Sequence, residues 1–305
     1  VATFLEDAMH LPSPEGPLPL TPQTRRAALA SMFFSGYAIA ALDANAAPII
    51  TDEKGLTIEE GTFASPADGF ALPYYLARPA KRGRYPAVVV VNEVFGIHAY
   101  IKDTCRRLAK AGYVAMAPDY FRRKGDPATM SDFKQIMPIV QATPNAQVLA
   151  DTQGAVDLLI KRTRQVKAGG VGVTGFCWGG AVTWNAAARV KGVRAGVAWY
   201  GRLSPPKDDP ARAAAGAPWP VETAAELKAP VLGLYAEKDQ GIPLETVEAM
   251  RAALAAAGNP TGSEVIVYPG AAHGFHADYR PSYKADAAAD GWARMLGWFA
   301  KNGLA

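Results

Sequence analysis

Val171-Gly172-Val173-Thr174-Gly175-Phe176-Cys177-Trp178-Gly179-Gly180 runs from an apolar strand directly into a helix candidate, Ala181 to Ala188. A strand that turns sharply into a helix holds the turn residue in a strained backbone conformation. Side chains two positions to either side would meet neighbouring backbone, so Gly175 and Gly179 carry none. This is the nucleophile-elbow pattern, with Cys where Ser is usual. The residue so exposed stands at a helix N-terminus, where the dipole favours a thiolate, the reactive form of cysteine. A tight turn around a buried cysteine would show the same glycines, so the stretch alone leaves both readings open. Gly170 to Gly175 also matches G-x-G-x-x-G, but it runs through the strand rather than after it. Arg194 lies where a dinucleotide site would need an acid, so no such cofactor is expected.

Outward from this turn the pattern repeats. Ala87-Val88-Val89-Val90-Val91-Asn92 is a continuous apolar run, as a strand buried on both faces requires. Tyr113 to Ala117, Ala195 to Trp199, Val231 to Tyr235 and Glu264 to Tyr268 read as further strands. Ile101, Thr104, Cys105 and Leu108 share one helical face, as do Val247, Met250 and Leu254, and Trp292, Met295, Leu296 and Phe299. Pro243 can open the second of these helices and Gly258 can close it. Strands alternating with helices predict an α/β architecture with a mostly parallel central sheet flanked by helices. Right-handed crossovers then bring the connections after the strands to one edge, where sites of such sheets form.

Two further side chains are expected at that edge. Asp239 follows the strand ending at Tyr235, and His273 follows the strand ending at Tyr268. The chain order nucleophile, acid, base is the one used on this scaffold. His273 would exchange a proton with Cys177, and Asp239 would orient His273. Glu237 and His276 are the local competitors. Glu93 ends the strand at Asn92; an unpaired charge there would be costly to bury, and a solvated loop carboxylate is the simpler alternative. The amides of Val94 and Trp178 are the expected oxyanion-hole donors. Trp178, Phe95, Tyr200 and Arg202 are candidates for substrate contact. Trp199 and Trp219 are further candidate pocket residues, or core.

The chain has 305 residues, half of them hydrophobic and a fifth charged, enough for one large domain. A net charge of +4 with scattered basic residues does not suit a nucleic-acid partner. Two cysteines do not make a disulfide framework, and Cys105 reads as a small buried hydrophobe. His273, His276 and Asp278 lack the matched ligands of a metal site, and no cofactor is expected. Residues 1–56 read as an N-terminal extension before a domain at 57–305. Within it Arg25-Arg26, the uncharged run Ala27 to Leu42 and Ala44-Asn45-Ala46 resemble a twin-arginine export signal. This predicts a periplasmic protein; a helix packed on a cytoplasmic domain is the alternative. No stretch is long and apolar enough to span a membrane.

Taken together, Asn92-Glu93-Val94-Phe95-Gly96, Ala111 to Asp119, Gly175 to Gly180, Asp239 and Ala272-His273-Gly274-Phe275 resemble the dienelactone hydrolase (carboxymethylenebutenolidase) family. The resemblance runs from about Thr57 to Gly303. It implies an α/β-hydrolase fold and cleavage of a small-molecule ester or lactone through Cys177, His273 and Asp239. It also implies that Glu93 contacts the cysteine in the resting enzyme and gates thiolate formation. The chain departs from the family where arginines bind the substrate carboxylate. One would fall at position 277, occupied here by Ala277, and Met130 to Val140 contains none. Arg202, Arg122 and Arg280 are the candidate substitutes. An acyltransferase or peptidase on the same scaffold, or a non-catalytic ligand-binding protein, are the alternatives. A monomer or homodimer is expected.

Overall fold

The computed structural model describes residues 48–207 and 210–305. The twin-arginine-like segment lies outside them. Strands β1 (Leu56–Ala64), β2 (Ala71–Pro79), β3 (Tyr85–Val91), β4 (Val114–Pro118), β5 (Val166–Phe176), β6 (Val193–Trp199), β7 (Val231–Ala236) and β8 (Glu264–Tyr268) form one sheet. The helices are α1 (Ala99–Lys110), α2 (Phe133–Gln141), α3 (Asn145–Lys161), α4 (Trp178–Arg189), α5 (Pro210–Gly216), α6 (Pro220–Thr223), α7 (Leu244–Ala256) and α8 (Ala285–Lys301). The sheet order is β1-β2-β4-β3-β5-β6-β7-β8. β1 and β2 pair antiparallel with each other and β2 pairs antiparallel with β4. The strands from β4 to β8 are parallel. This is the expected mostly parallel α/β-hydrolase-like sheet.

β3 shows why its apolar run is unbroken. Its side chains alternate between faces. Val88 and Val90 join the core that holds Ile101 and Leu108 of α1 and Phe299 of α8. Ala87, Val89 and Val91 join the core that holds Val148 and Leu159 of α3 and Val182 of α4. Both faces are covered, so an unpaired polar side chain would be costly at any position from Ala87 to Val91. Cys105 is fully buried in the first core, and burial pushes its thiol pKa well up. Among the described residues, no helix is long and apolar enough to cross a membrane.

The strand order positions the site. β4 lies on one side of β3 and β5 on the other. The connections leaving β3 and β5 therefore diverge, opening a crevice at their carboxyl ends. Val91 pairs with Gly175 at that edge, which brings the connection holding Glu93 and Val94 beside Cys177. The ends of β6, β7 and β8 follow in order along the same edge.

Candidate active site

Cys177 sits between β5 and α4 with φ 56° and ψ −114°, outside the range most side chains accept. The turn is held by Cys177 N–H donating to Trp199 O at 3.0 Å. A Cβ at Gly175 would lie 2.1 Å from Gly179 O, and one at Gly179 would lie 2.5 Å from Val91 O. Both glycines are needed for backbone approach, as the sequence pattern predicts. Trp178 is the first residue of α4, so its amide is one of those with no acceptor inside the helix.

The side chains from β5, β7 and β8 converge. His273 Nε2 lies 3.2 Å from Cys177 Sγ, and His273 Nδ1 lies 2.7 Å from Asp239 Oδ2. The second carboxylate oxygen of Asp239 accepts from Gly241 N–H at 2.9 Å and Ile242 N–H at 3.1 Å, which fixes its plane. Of the two competitors, Glu237 is exposed and accepts from Gly270 N–H. His276 is buried rather than at the surface, 2.6 Å from Tyr100 Oη and stacked against Phe176 and Trp292. Burial, with Arg107 nearby, takes its pKa down to about 3, so it is neutral.

Electrostatics link the sulfur and the ring. Burial pushes the Cys177 thiol up, but the charge and hydrogen bond of His273 outweigh it, and the thiol ends below its ordinary value. Burial lowers His273, whereas the Cys177 and Asp239 charges raise it, to about 10. Each group thus favours the charged form of the other, the thiolate beside a protonated ring.

Glu93 is fully buried, so the solvated-loop alternative does not hold. Its Oε2 accepts from Tyr279 Oη at 2.6 Å and stands 3.2 Å from His98 Nε2; its Oε1 accepts from Arg280 Nη2 at 2.9 Å. Burial alone would raise this carboxyl; Arg280 and His98 reverse that and bring it to about 2. In this conformation Glu93 is thus caged by three side chains, while the sulfur pairs with His273. Tyr279 and His98 were not anticipated. The signal available was the cost of burying Glu93, which demands counter-charge and donors.

A cavity of about 560 Å³ opens above the sulfur. Trp178, Phe95, Tyr200 and Arg202 all line it, as do Val94, Trp219 and Arg280. Trp199 does not line it; it is fully buried beneath, stacked on Phe176. Arg122 is not among the lining residues; it pairs with Asp119 and Asp126 instead. The wall contributed by α2, with Phe133 and Met137, had no counterpart among the sequence expectations.

The dienelactone hydrolase family model matches residues 72–303. A Methylorubrum extorquens protein, provisionally named carboxymethylenebutenolidase, is 45% identical over 93% of this chain and 95% of its own. An Escherichia coli K12 protein of the same provisional name is 42% identical over 88% of this chain and 96% of its own. A crystal structure from Klebsiella pneumoniae, described as a provisional dienelactone hydrolase, superposes with a TM-score of 0.74 at 44% identity. It covers 81% of this chain and 99% of its own. The match extends over most of the chain and includes the elbow and the ends of β7 and β8. The chain is therefore a hydrolase, and it belongs to the dienelactone hydrolase family.

Proposed function

We propose that this hydrolase cleaves carboxylic esters or lactones by covalent catalysis at Cys177. One observation carries the reading: the 3.2 Å approach of His273 to the sulfur, with Asp239 on the far side of the ring. The thiolate attacks the carbonyl carbon, and the carbonyl electron pair moves to oxygen. The Val94 and Trp178 amides receive that oxyanion, each such donor being worth about 3 kcal/mol in the transition state. The intermediate collapses to a thioester as the alkoxide leaves, taking the proton from the His273 imidazolium. Neutral His273 then removes a proton from water, whose oxygen attacks the thioester. Collapse releases the acid and restores thiolate and imidazolium. Sulfur leaves a tetrahedral intermediate more readily than an alkoxide does, so enolate or phenolate leaving groups suit this nucleophile.

Glu93 and Arg280 act through the sulfur's pKa. The carboxylate disfavours the thiolate and the guanidinium favours it, so their pairing keeps the buried carboxylate from quenching Cys177. Turnover of aryl esters and enol lactones by wild type and Cys177→Ala tests the reading; equal rates would refute it. Export through the twin-arginine-like segment is also proposed. N-terminal sequencing of native periplasmic protein should start after Ala46; a start upstream of Ala44 would contradict cleavage there.

A further inference from the structure

The cavity above Cys177 has two unlike sides. His273 must hand a proton to the departing oxygen, so the leaving group lies on its side, near Lys238, Gln240 and Gly241. The acyl part must then extend away from His273. Lining the cavity away from the His273 and Asp239 loops are Phe133 and Met137 of α2, with Phe95 next to Phe133, Trp178 against the same cluster, and Trp219.

α2 is built for this position. Phe133, Met137 and Gln141 recur at helical i, i+4 spacing, so they project along one stripe, and all three line the cavity. Ile136 is instead packed with Val94 and Phe121, and Val140 joins that cluster while also touching the cavity. One set of apolar residues anchors the helix and another faces open volume. Phe133 is 49% exposed, which for a large aromatic ring at a cavity mouth leaves a surface for a ligand to cover.

One cation stands beside these rings, Arg280 at 5.3 Å over Phe95, and the others lie toward Asp239. Arg280 is already bonded to Glu93 and balances its buried charge. Arg202 and Lys238 belong to the connections after β6 and β7, and Arg202 reaches toward Gly241, beside Asp239. A carboxylate carried on the acyl part would be desolvated against aromatic rings, which is unfavourable.

We propose that the substrates are neutral esters or lactones whose acyl part carries an aromatic or bulky apolar group, packed against Phe133, Met137, Trp178 and Trp219. This rests on the reading of Cys177 as nucleophile. The test compares kcat/KM for the nitrophenyl esters of acetate, phenylpropanoate and hemisuccinate, which share one leaving group. Phenylpropanoate is expected to exceed acetate by at least about tenfold, since even one apolar group in a fitted pocket carries that much discrimination. Hemisuccinate is expected to fall below acetate. In Met137→Arg the ratio of hemisuccinate to phenylpropanoate should rise about tenfold. Should that variant not fold, Phe133→Ser at the exposed mouth should cut the ratio of phenylpropanoate to acetate. A wild-type enzyme that handles hemisuccinate as well as phenylpropanoate overturns the proposal. Intact-mass analysis of quenched reactions separates the two levels. An acyl adduct on Cys177 with flat selectivity removes the substrate class and leaves the nucleophile. No adduct from any ester, with rates unaffected in Cys177→Ala, removes both.

Discussion

The imidazole of His273 reaches the sulfur of Cys177 across 96 positions of chain, Nε2 to Sγ at 3.2 Å. The two residues lie in the connections after β8 and β5, with β6 and β7 between those strands in the sheet. Asp239, in the connection after β7, tethers the ring from its other nitrogen. The spacing of strands thus fixes the spacing of the chemistry.

That pairing should be visible as a pH profile. With His273 held at about 10, the ring stays protonated at neutral pH and the adjacent thiol ionises below its ordinary 9.0. Alkylation of Cys177 by iodoacetamide should therefore inflect below pH 9. In His273→Ala the burial effect acts without its counterweight, and the inflection should move above 9. An unchanged inflection would contradict the ion pair.

Glu93 and Arg280 make a second prediction, about stability. Removing the guanidinium in Arg280→Met leaves a buried carboxylate short of counter-charge, a change that costs about 3–5 kcal/mol. The double variant Glu93→Gln with Arg280→Met should recover much of that loss in urea unfolding, because neither member of the pair then leaves the other's charge uncompensated. Additive losses would argue against the coupling.

The same carboxylate predicts an acid limit. Its folded pKa is depressed from 4.5 to about 2. The stability it contributes is fully present above 4.5 and is lost as pH falls through about 2. Between those values wild type should lose stability on acidification, because the unfolded chain takes up the proton while folded Glu93 stays ionised. The Glu93→Gln variant should lack this contribution, which urea titrations at several pH values would measure.

Gly179 predicts a packing cost. An added Cβ would sit 2.5 Å from Val91 O and 2.6 Å from Asn92 O, both backbone atoms of the β3 end. Gly179→Ala should destabilise by about 1–3 kcal/mol, the usual range for overpacking. It should also widen the elbow and slow turnover. A wild-type melting temperature would show that the approach is not required.

The elbow, the strand ends and the three converging side chains were legible because each obeys a local rule. Glycines flank Cys177, apolar runs precede Asp239 and His273, and continuous apolar patterns mark the buried strands. The antiparallel pair β1 and β2 was not anticipated. β1 is half-exposed along its length, so no strong apolar run announces it. α2 was missed because it is short, contains Pro138 and divides its apolar residues between core and cavity. Arg280 was named for a substrate contact, yet its guanidinium holds Glu93. The partners of a buried charge come from loops, and loops carry no periodicity to read.

The covalent step is the centre of the account, and intact-mass spectrometry during turnover of an aryl ester tests it most directly. The account predicts a mass gain equal to the acyl group, mapped by peptide digestion to Cys177 and absent in Cys177→Ala. An unmodified wild-type protein under rapid turnover, with Cys177→Ala equally active, would contradict it.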